Sequence, residues 1–196
     1  RLAALADGVV TWGGDGAVSA LRRLAPPGCK LMEWGHRLSF AYVAGYEDRE
    51  AEWSALARHI VRTGGLLCSS CQVIFLDTSR LEEGEAFCQA FLPLLNRTAR
   101  ERDRDGAAQA ALYTHTYRLE RLAEGAGGRT WFGEGCSLTL KPDRELELSP
   151  LYGNVLVKCL PREELIPVLR RQKGRLQTAG LLCRPEEREE LTALLA

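Results

Sequence analysis

Three short segments of this sequence hold residue types that could do chemistry. The first is Cys68, in Leu66-Leu67-Cys68-Ser69-Ser70-Cys71. Gly64 and Gly65 precede it and two serines follow, which predicts a connection between a helix and a strand. A thiol in such a loop can be exposed and flanked by free backbone N–H groups, which would stabilise both a thiolate and the oxyanion of a thioester attack. The second is Glu33, which ends an apolar run and precedes Trp34-Gly35-His36. A carboxylate desolvated beside an indole holds the raised pKa that a general base needs. The third is Trp12-Gly13-Gly14-Asp15-Gly16, between a strand and a helix. Glycines there let a ligand approach the backbone, and a helix N-terminus favours phosphate.

Each segment also has an ordinary explanation. Free cysteine usually packs as a small apolar residue, and a strand-end glutamate usually points into water. Glycines often only punctuate the chain. The glycine segment is not a full G-x-G-x-x-G, and no Gly-Lys-Ser/Thr follows it as in a P-loop. No G-x-S-x-G is present to suggest a hydrolase. Cys68 and Cys71 have zinc half-site spacing, but a second pair is missing and His36, His59 and His115 stand far apart. A redox pair stays open.

The elements that must position these residues alternate. Strands are predicted over 7–12, 30–34, 39–43, 72–76, 130–132, 137–140, 154–160 and 178–183. Helices are predicted over 17–24, 48–62, 81–95, 107–124, 163–171 and 186–195, with turns at Pro26-Pro27-Gly28 and 125–128. Asp77-Thr78-Ser79 offers capping oxygens to the helix at Leu81, and Pro161 sits just ahead of the helix at Glu163. The charge-dense stretch 97–105 is expected to be a solvated helix end or loop. The alternation implies a layered α/β/α fold with a largely parallel sheet.

Composition narrows the function. The chain has 196 residues, 45% hydrophobic and 27% charged, and its 26 Lys and Arg balance 26 Asp and Glu. Such a chain can bury a core, and a neutral balance argues against non-specific nucleic-acid binding. No run is long and apolar enough to predict a membrane span, and no signal peptide is evident. Seven cysteines, an odd and scattered set, suggest a reduced, cytoplasmic protein. The chain starts at Arg1 and its one methionine is Met32, so either a leader was removed or the chain is part of something longer.

Taken together the three segments resemble aldehyde dehydrogenases. A strand, a glycine turn and a helix come first, then a glutamate before a glycine, then a loop cysteine 35 residues later. Glu33 to Ser39 resembles the Glu-Leu-Gly-Gly-Lys-Ser segment of that superfamily, with His36 in place of a glycine and one extra residue before Ser39. The closer resemblance is to the acyl-CoA reductases, the fatty-acid reductases of bacterial bioluminescence. Ala6 to Gly14 matches their Ala-Asp-x-Val-x-x-Trp-Gly-Gly segment, and Pro26 to Leu31 their Pro-Pro-Gly-x-Lys-Leu segment. Cys68 to Gln72 matches Cys-Ser-Ser-Pro-Gln, with Cys71 in place of proline, and Leu176 to Leu181 matches Leu-Gln-Thr-x-Gly-Leu.

This resemblance implies an aldehyde-dehydrogenase-like catalytic domain over 34–196, preceded over 1–33 by the last strand-helix-strand portion of a dinucleotide-binding domain. It implies reduction of a long-chain fatty acyl-CoA, or another acyl thioester, to the aldehyde with NADPH or NADH. Cys68 would carry the acyl group and Glu33 would handle protons or activate water. Trp12, Gly13 and Gly14 would lie near the cofactor. No counterpart of the superfamily's ribose-binding glutamate is assigned, although Glu147 lies near the right place, before Leu151-Tyr152-Gly153. The resemblance also implies that the chain is a fragment, weak in cofactor binding and turnover by itself. An acyl-transferring or acyl-activating partner protein and self-association are left open. So are an aldehyde-oxidising dehydrogenase and a non-catalytic α/β interaction domain.

Overall fold

The computed structural model describes residues 2–124 and 127–195, and these fall into two compact units that meet in sequence between Arg37 and Leu38. In the first unit a 3-10 turn, Leu2–Leu5, leads into β1 (Gly8–Trp12), α1 (Asp15–Leu24) and β2 (Lys30–Trp34). β1 and β2 are parallel, with Thr11 opposite Glu33 and Trp12 opposite Trp34. Parallel partners need a crossover, and α1 supplies it. The indoles of Trp12 and Trp34 stack with centroids 5.2 Å apart.

The second unit runs β3 (Leu38–Val43), α2 (Arg49–Thr63), β4 (Cys71–Leu76), α3 (Leu81–Ala99), α4 (Arg104–Glu124), β5 (Arg129–Phe132), β6 (Ser137–Lys141), β7 (Asn154–Cys159), α5 (Arg162–Arg170), β8 (Leu176–Leu182) and α6 (Arg188–Leu195). Its strands form one sheet in the order β5-β6-β7-β4-β3-β8. β5 pairs antiparallel with β6, and the other neighbours pair in parallel. Every residue of β3, β4 and β7 is buried. That is why these strands are near-continuous apolar runs rather than alternating ones.

Alternate residues of those strands build two cores. Phe40, Tyr42, Val73, Phe75 and Leu156 pack with Leu165 and Leu169 of α5 and Leu191 of α6. Ala41, Val43, Ile74, Leu76, Val155 and Val157 pack with Trp53 of α2 and with Phe87 and Phe91 of α3. Trp53 meets both phenylalanines edge-on, at 5.4 and 5.3 Å between centroids. Helices on both faces of a mostly parallel sheet make the α/β/α layers the sequence predicts. α2 begins at Asp48, whose side chain accepts the Ala51 N–H at 3.1 Å. It stops at Gly64, which adopts the left-handed φ of 57° open to glycine.

Two local expectations fail. Asp77-Thr78-Ser79 does not cap α3 in the expected way, because Arg80 occupies the N-cap position and has no side-chain cap bond. Asp77 instead accepts from the Arg162 backbone N–H at 2.8 Å and from its guanidinium at 3.0 and 3.2 Å, tying β4 to α5. The stretch 97–105 is not uniformly solvated either. Arg102 is half-buried and donates to the carbonyls of Gly135 at 3.0 Å and Tyr152 at 3.1 Å. Those carbonyls lie in loops distant in sequence, so the partners of this arginine are not written in its neighbours. The turn expected at 125–128 lies partly outside the described residues.

Lys158 is the most demanding residue of the sheet. It lies on β7 between Val157 and Cys159 and is fully buried. Its ammonium donates to Asp143 and Glu147 and to the Glu145 carbonyl at 2.7 Å, while Lys141 reaches Glu147 at 2.6 Å. Burial pushes the Asp143 and Glu147 carboxyls up, but hydrogen bonds from the lysines and the nearby positive charges outweigh it and hold both below their usual range. Glu147 is thus held by ion pairs. A carboxylate with a lowered folded pKa adds stability above its unfolded pKa of about 4, and that stability is lost as pH falls through the folded value. Resistance to urea unfolding should therefore fall as pH drops below about 4. At neutral pH the pair Asp143→Asn and Glu147→Gln should cost about 2–3 kcal/mol, below a fully buried pair because both carboxylates are partly exposed.

Candidate active site

Cys68 lies in the short connection from α2 to β4. Ser70 N–H closes a turn onto the Leu67 carbonyl at 2.9 Å, and the buried Ser70 hydroxyl accepts the Leu67 N–H at 2.9 Å. Cys68 and Ser69 are the central residues of that turn, whose closure does not use their own N–H groups. The loop is pinned at both ends. Gln72 donates to the Gly65 carbonyl at 3.0 Å, and His59 Nε2 donates to the Ser69 carbonyl at 3.1 Å. Tyr152 N–H donates to the Gly64 carbonyl at 2.6 Å.

Ser39, at the start of β3, fixes the position of the cysteine itself. Its hydroxyl donates to the Cys68 carbonyl at 2.7 Å and accepts the Thr178 N–H at 3.1 Å. The side-chain amide of Gln177 then donates to Cys68 Sγ at 2.9 Å. β3 thus holds the Cys68 carbonyl and β8 meets its sulfur. A cavity of about 310 Å³ lies against the same loop, lined by Phe40, Ala41, Leu56, Cys71 and Leu181, with Glu52, His59, Ser69 and Thr178 as its polar residues.

The spacing of Cys68 and Cys71 puts the two thiols in opposite environments. Cys68 is exposed and free. Cys71 is buried at the start of β4 with its thiol against the Val73 carbonyl, and burial pushes it up to about 12. Burial likewise pushes Cys88 up to about 12 and Cys136 up to about 11. Thiols so placed resist alkylation.

In the first unit Trp12, Gly13, Gly14 and Glu33 gather at the C-terminal ends of β1 and β2. Gly13 donates its N–H to the Trp34 carbonyl at 3.2 Å and has φ of 152°, and Gly14 is the N-cap of α1. A Cβ added at Gly14 or Gly16 would meet nothing within 4 Å, so the backbone at this helix start is open to a ligand. Trp12 is largely exposed, and its stack with Trp34 offers a flat aromatic surface. These residues fit part of a nicotinamide dinucleotide: open backbone for a phosphate, an indole for a planar ring. Asp15 in the first turn works against added negative charge.

Glu33 corrects the sequence reading in one respect. Its carboxylate receives two hydrogen bonds from Arg22 of α1, one of them at 3.0 Å from Nε. The Arg22 hydrogen bond outweighs desolvation, and the Glu33 carboxyl is lowered rather than raised. Trp34, expected to desolvate it, stacks on Trp12. Sequence reasoning therefore missed Arg22, Ser39, His59 and Gln177. Ser39 and Gln177 stood inside quoted segments, but nothing in them marked a contact with Cys68.

Two measurements check this geometry. Iodoacetamide should label Cys68 ahead of Cys71, Cys88 and Cys136 in the folded chain, and peptide mapping should find those three labelled only on unfolding. In Arg22→Gln the Glu33 carboxyl should titrate higher than in the parent, as followed by carboxyl-carbon NMR.

The sequence model of the acyl-CoA reductase (LuxC) family matches residues 1–196. No curated protein matches the chain. Among solved structures, a mutant of proline utilization A (PutA) from Bradyrhizobium japonicum is similar at 16% identity and a TM-score of 0.63, over 96% of this chain and 21% of that one. AldA of P. syringae, an indole-3-acetaldehyde dehydrogenase, is similar at 15% identity and 0.60, over 95% and 42%. PnpE from Pseudomonas sp. WBC-3 is similar at 12% and 0.63, over 96% and 43%. The chain thus spans about a fifth of PutA and about two fifths of the other two. These likenesses show an aldehyde-dehydrogenase-like fold. With the family match running from the first residue to the last, the chain belongs to the acyl-CoA reductase (LuxC) family.

Proposed function

We propose that this chain carries the nucleophile of an enzyme that reduces a long-chain fatty acyl-CoA to the fatty aldehyde with NADPH, or NADH, through a thioester on Cys68. The observation that carries the reading is the exposed Cys68 thiol, on a loop whose backbone Ser39 clamps and whose next residue, Ser69, lines a mostly apolar cavity, in a chain of this family. Cys68 thiolate attacks the acyl carbon of the CoA ester, and the new C–S bond forms as CoA leaves with the electron pair. A thiolate suits both halves of such a reaction, because it attacks well and leaves well. The cavity against the Cys68 loop would shelter the proximal methylenes of the acyl chain, whose transfer from water is favourable by about 0.8 kcal/mol each. The acyl group could equally be delivered as another thioester by an acyl-transferring partner.

The first unit takes the cofactor in this reading, with Trp12 against a planar ring and Gly13 and Gly14 beside phosphate. PnpE has been solved with nicotinamide adenine dinucleotide and AldA with NAD+ and IAA, which supports a cofactor of this class. When bound, the reduced nicotinamide supplies hydride to the acyl carbon. Glu33 handles protons as a carboxylate, paired in this structure with Arg22.

The test is made on the enzyme containing this chain, with palmitoyl-CoA and NADPH. Parent protein should consume the CoA ester and release aldehyde. Cys68→Ala should abolish this, and Glu33→Gln should slow it by about a hundredfold. Formation of carboxylic acid from added aldehyde, without consumption of the CoA ester, would overturn the reading.

A further inference from the structure

The parallel ladder of the second unit breaks on both sides of one residue. Toward β4, Ser39 pairs with Cys71 and Phe40 with Val73, so Gln72 is extra. Toward β8, Leu38 pairs with Leu176 and Phe40 with Ala179, so Gln177 and Thr178 together face Ser39. Each shift adds one residue to a neighbour of the same strand at the same level. Extra residues of this kind bend the strand and re-aim a side chain, and they cluster beside active sites. Here the freed hydroxyl of Ser39 binds the Cys68 carbonyl and the Thr178 N–H, and the re-aimed carboxamide of Gln177 meets Cys68 Sγ at 2.9 Å.

The surroundings of Cys68 make that contact useful. α2 ends at Thr63, shortly before the loop, and a helix C-terminus carries partial negative charge that does not favour a thiolate. The thiolate, not the thiol, is the nucleophile. A donor on the sulfur offsets the unfavourable helix end. The cysteine lies at the N-terminal ends of β3, β4 and β8, where no α-helix N-terminus is supplied by the strand-to-helix turns of a parallel sheet. Side-chain donors there add to the backbone N–H groups of the Cys68 turn.

Resting on the reading of Cys68 as the nucleophile, we infer that Gln177 is a catalytic residue, whose side-chain N–H holds the Cys68 sulfur as a thiolate before attack and receives it again on release. The sulfur is anionic at the two ends of the cycle. It first gives its electron pair to the acyl carbon while the bond to CoA sulfur breaks. After hydride has reached that carbon, the hemithioacetal C–S bond breaks, the pair returns to Cys68 and the aldehyde leaves. Gln177 stabilises the first and last of these states and not the acylated one between them.

Gln177 is exposed on an edge strand, so its isosteric change to glutamate should leave the fold and thermal midpoint unaltered. Glutamate offers acceptors and a negative charge where the amide offered donors. Iodoacetamide labelling of Cys68 at pH 7, quantified by peptide mapping, should slow roughly fivefold in Gln177→Ala and more in Gln177→Glu. A Gln177→Glu chain that labels as fast as the parent would overturn the inference while leaving Cys68 as nucleophile. Slowed labelling of a Cys68 that takes no acyl group from palmitoyl-CoA would overturn the catalytic role through failure of the parent reading.

Discussion

Burial of β3, β4 and β7 on both faces is the constraint on which the second unit depends. Strands with no solvent side must satisfy every backbone group within the ladder and every side chain within a core. The aromatic cluster of Trp53, Phe87 and Phe91 covers one face, and the leucines of α5 and α6 cover the other. Under that constraint a break in the ladder is costly unless something else supplies the lost bonds. The break at Ser39 is supplied by a hydroxyl that donates once and accepts once, and its donation holds the loop of Cys68. Holding the Cys68 loop and bridging the break in the ladder are therefore one structural problem with one solution.

The two units place their candidate groups at opposite kinds of strand end. Trp12, Gly13, Gly14 and Glu33 gather at the C-terminal ends of parallel strands, where open α/β sheets commonly bind ligands and α1 presents its N-terminus. Cys68 belongs to the N-terminal ends of β3, β4 and β8. A helix N-terminus is present at the first group, and at the second a side-chain donor, Gln177, meets the sulfur. Glu33 shows the same economy of charge: paired with Arg22 it is stable as a carboxylate, and its basicity depends on releasing that partner.

Much of this was legible in the sequence, for physical reasons. β3, β4 and β7 are apolar runs because they are buried on both faces, and the glycines after α2 mark its end because a left-handed residue is needed there. Those same glycines allowed an exposed Cys68 but left a buried one open, and the structure places it exposed. What could not be read was pairing across distance. Arg22 and Glu33 lie 11 residues apart on a helix and a strand, and Gln177 and Cys68 are separated by 109. Lys158 stood in a segment that looked like an ordinary buried strand, yet its ammonium needs Asp143 and Glu147 from a loop before it. Register shifts at Ser39 are likewise invisible in composition or period, because they are relations between strands.

The central claim is that an acyl group is carried on Cys68. It is tested most directly by incubating the chain with radiolabelled palmitoyl-CoA and mapping the labelled peptide after denaturation without thiols. The account predicts a hydroxylamine-sensitive label on the peptide containing Cys68, released CoA in equal amount, and no label in Cys68→Ala. A Cys68→Ala chain that labels as well as the parent, or a label mapped to another residue, would contradict it.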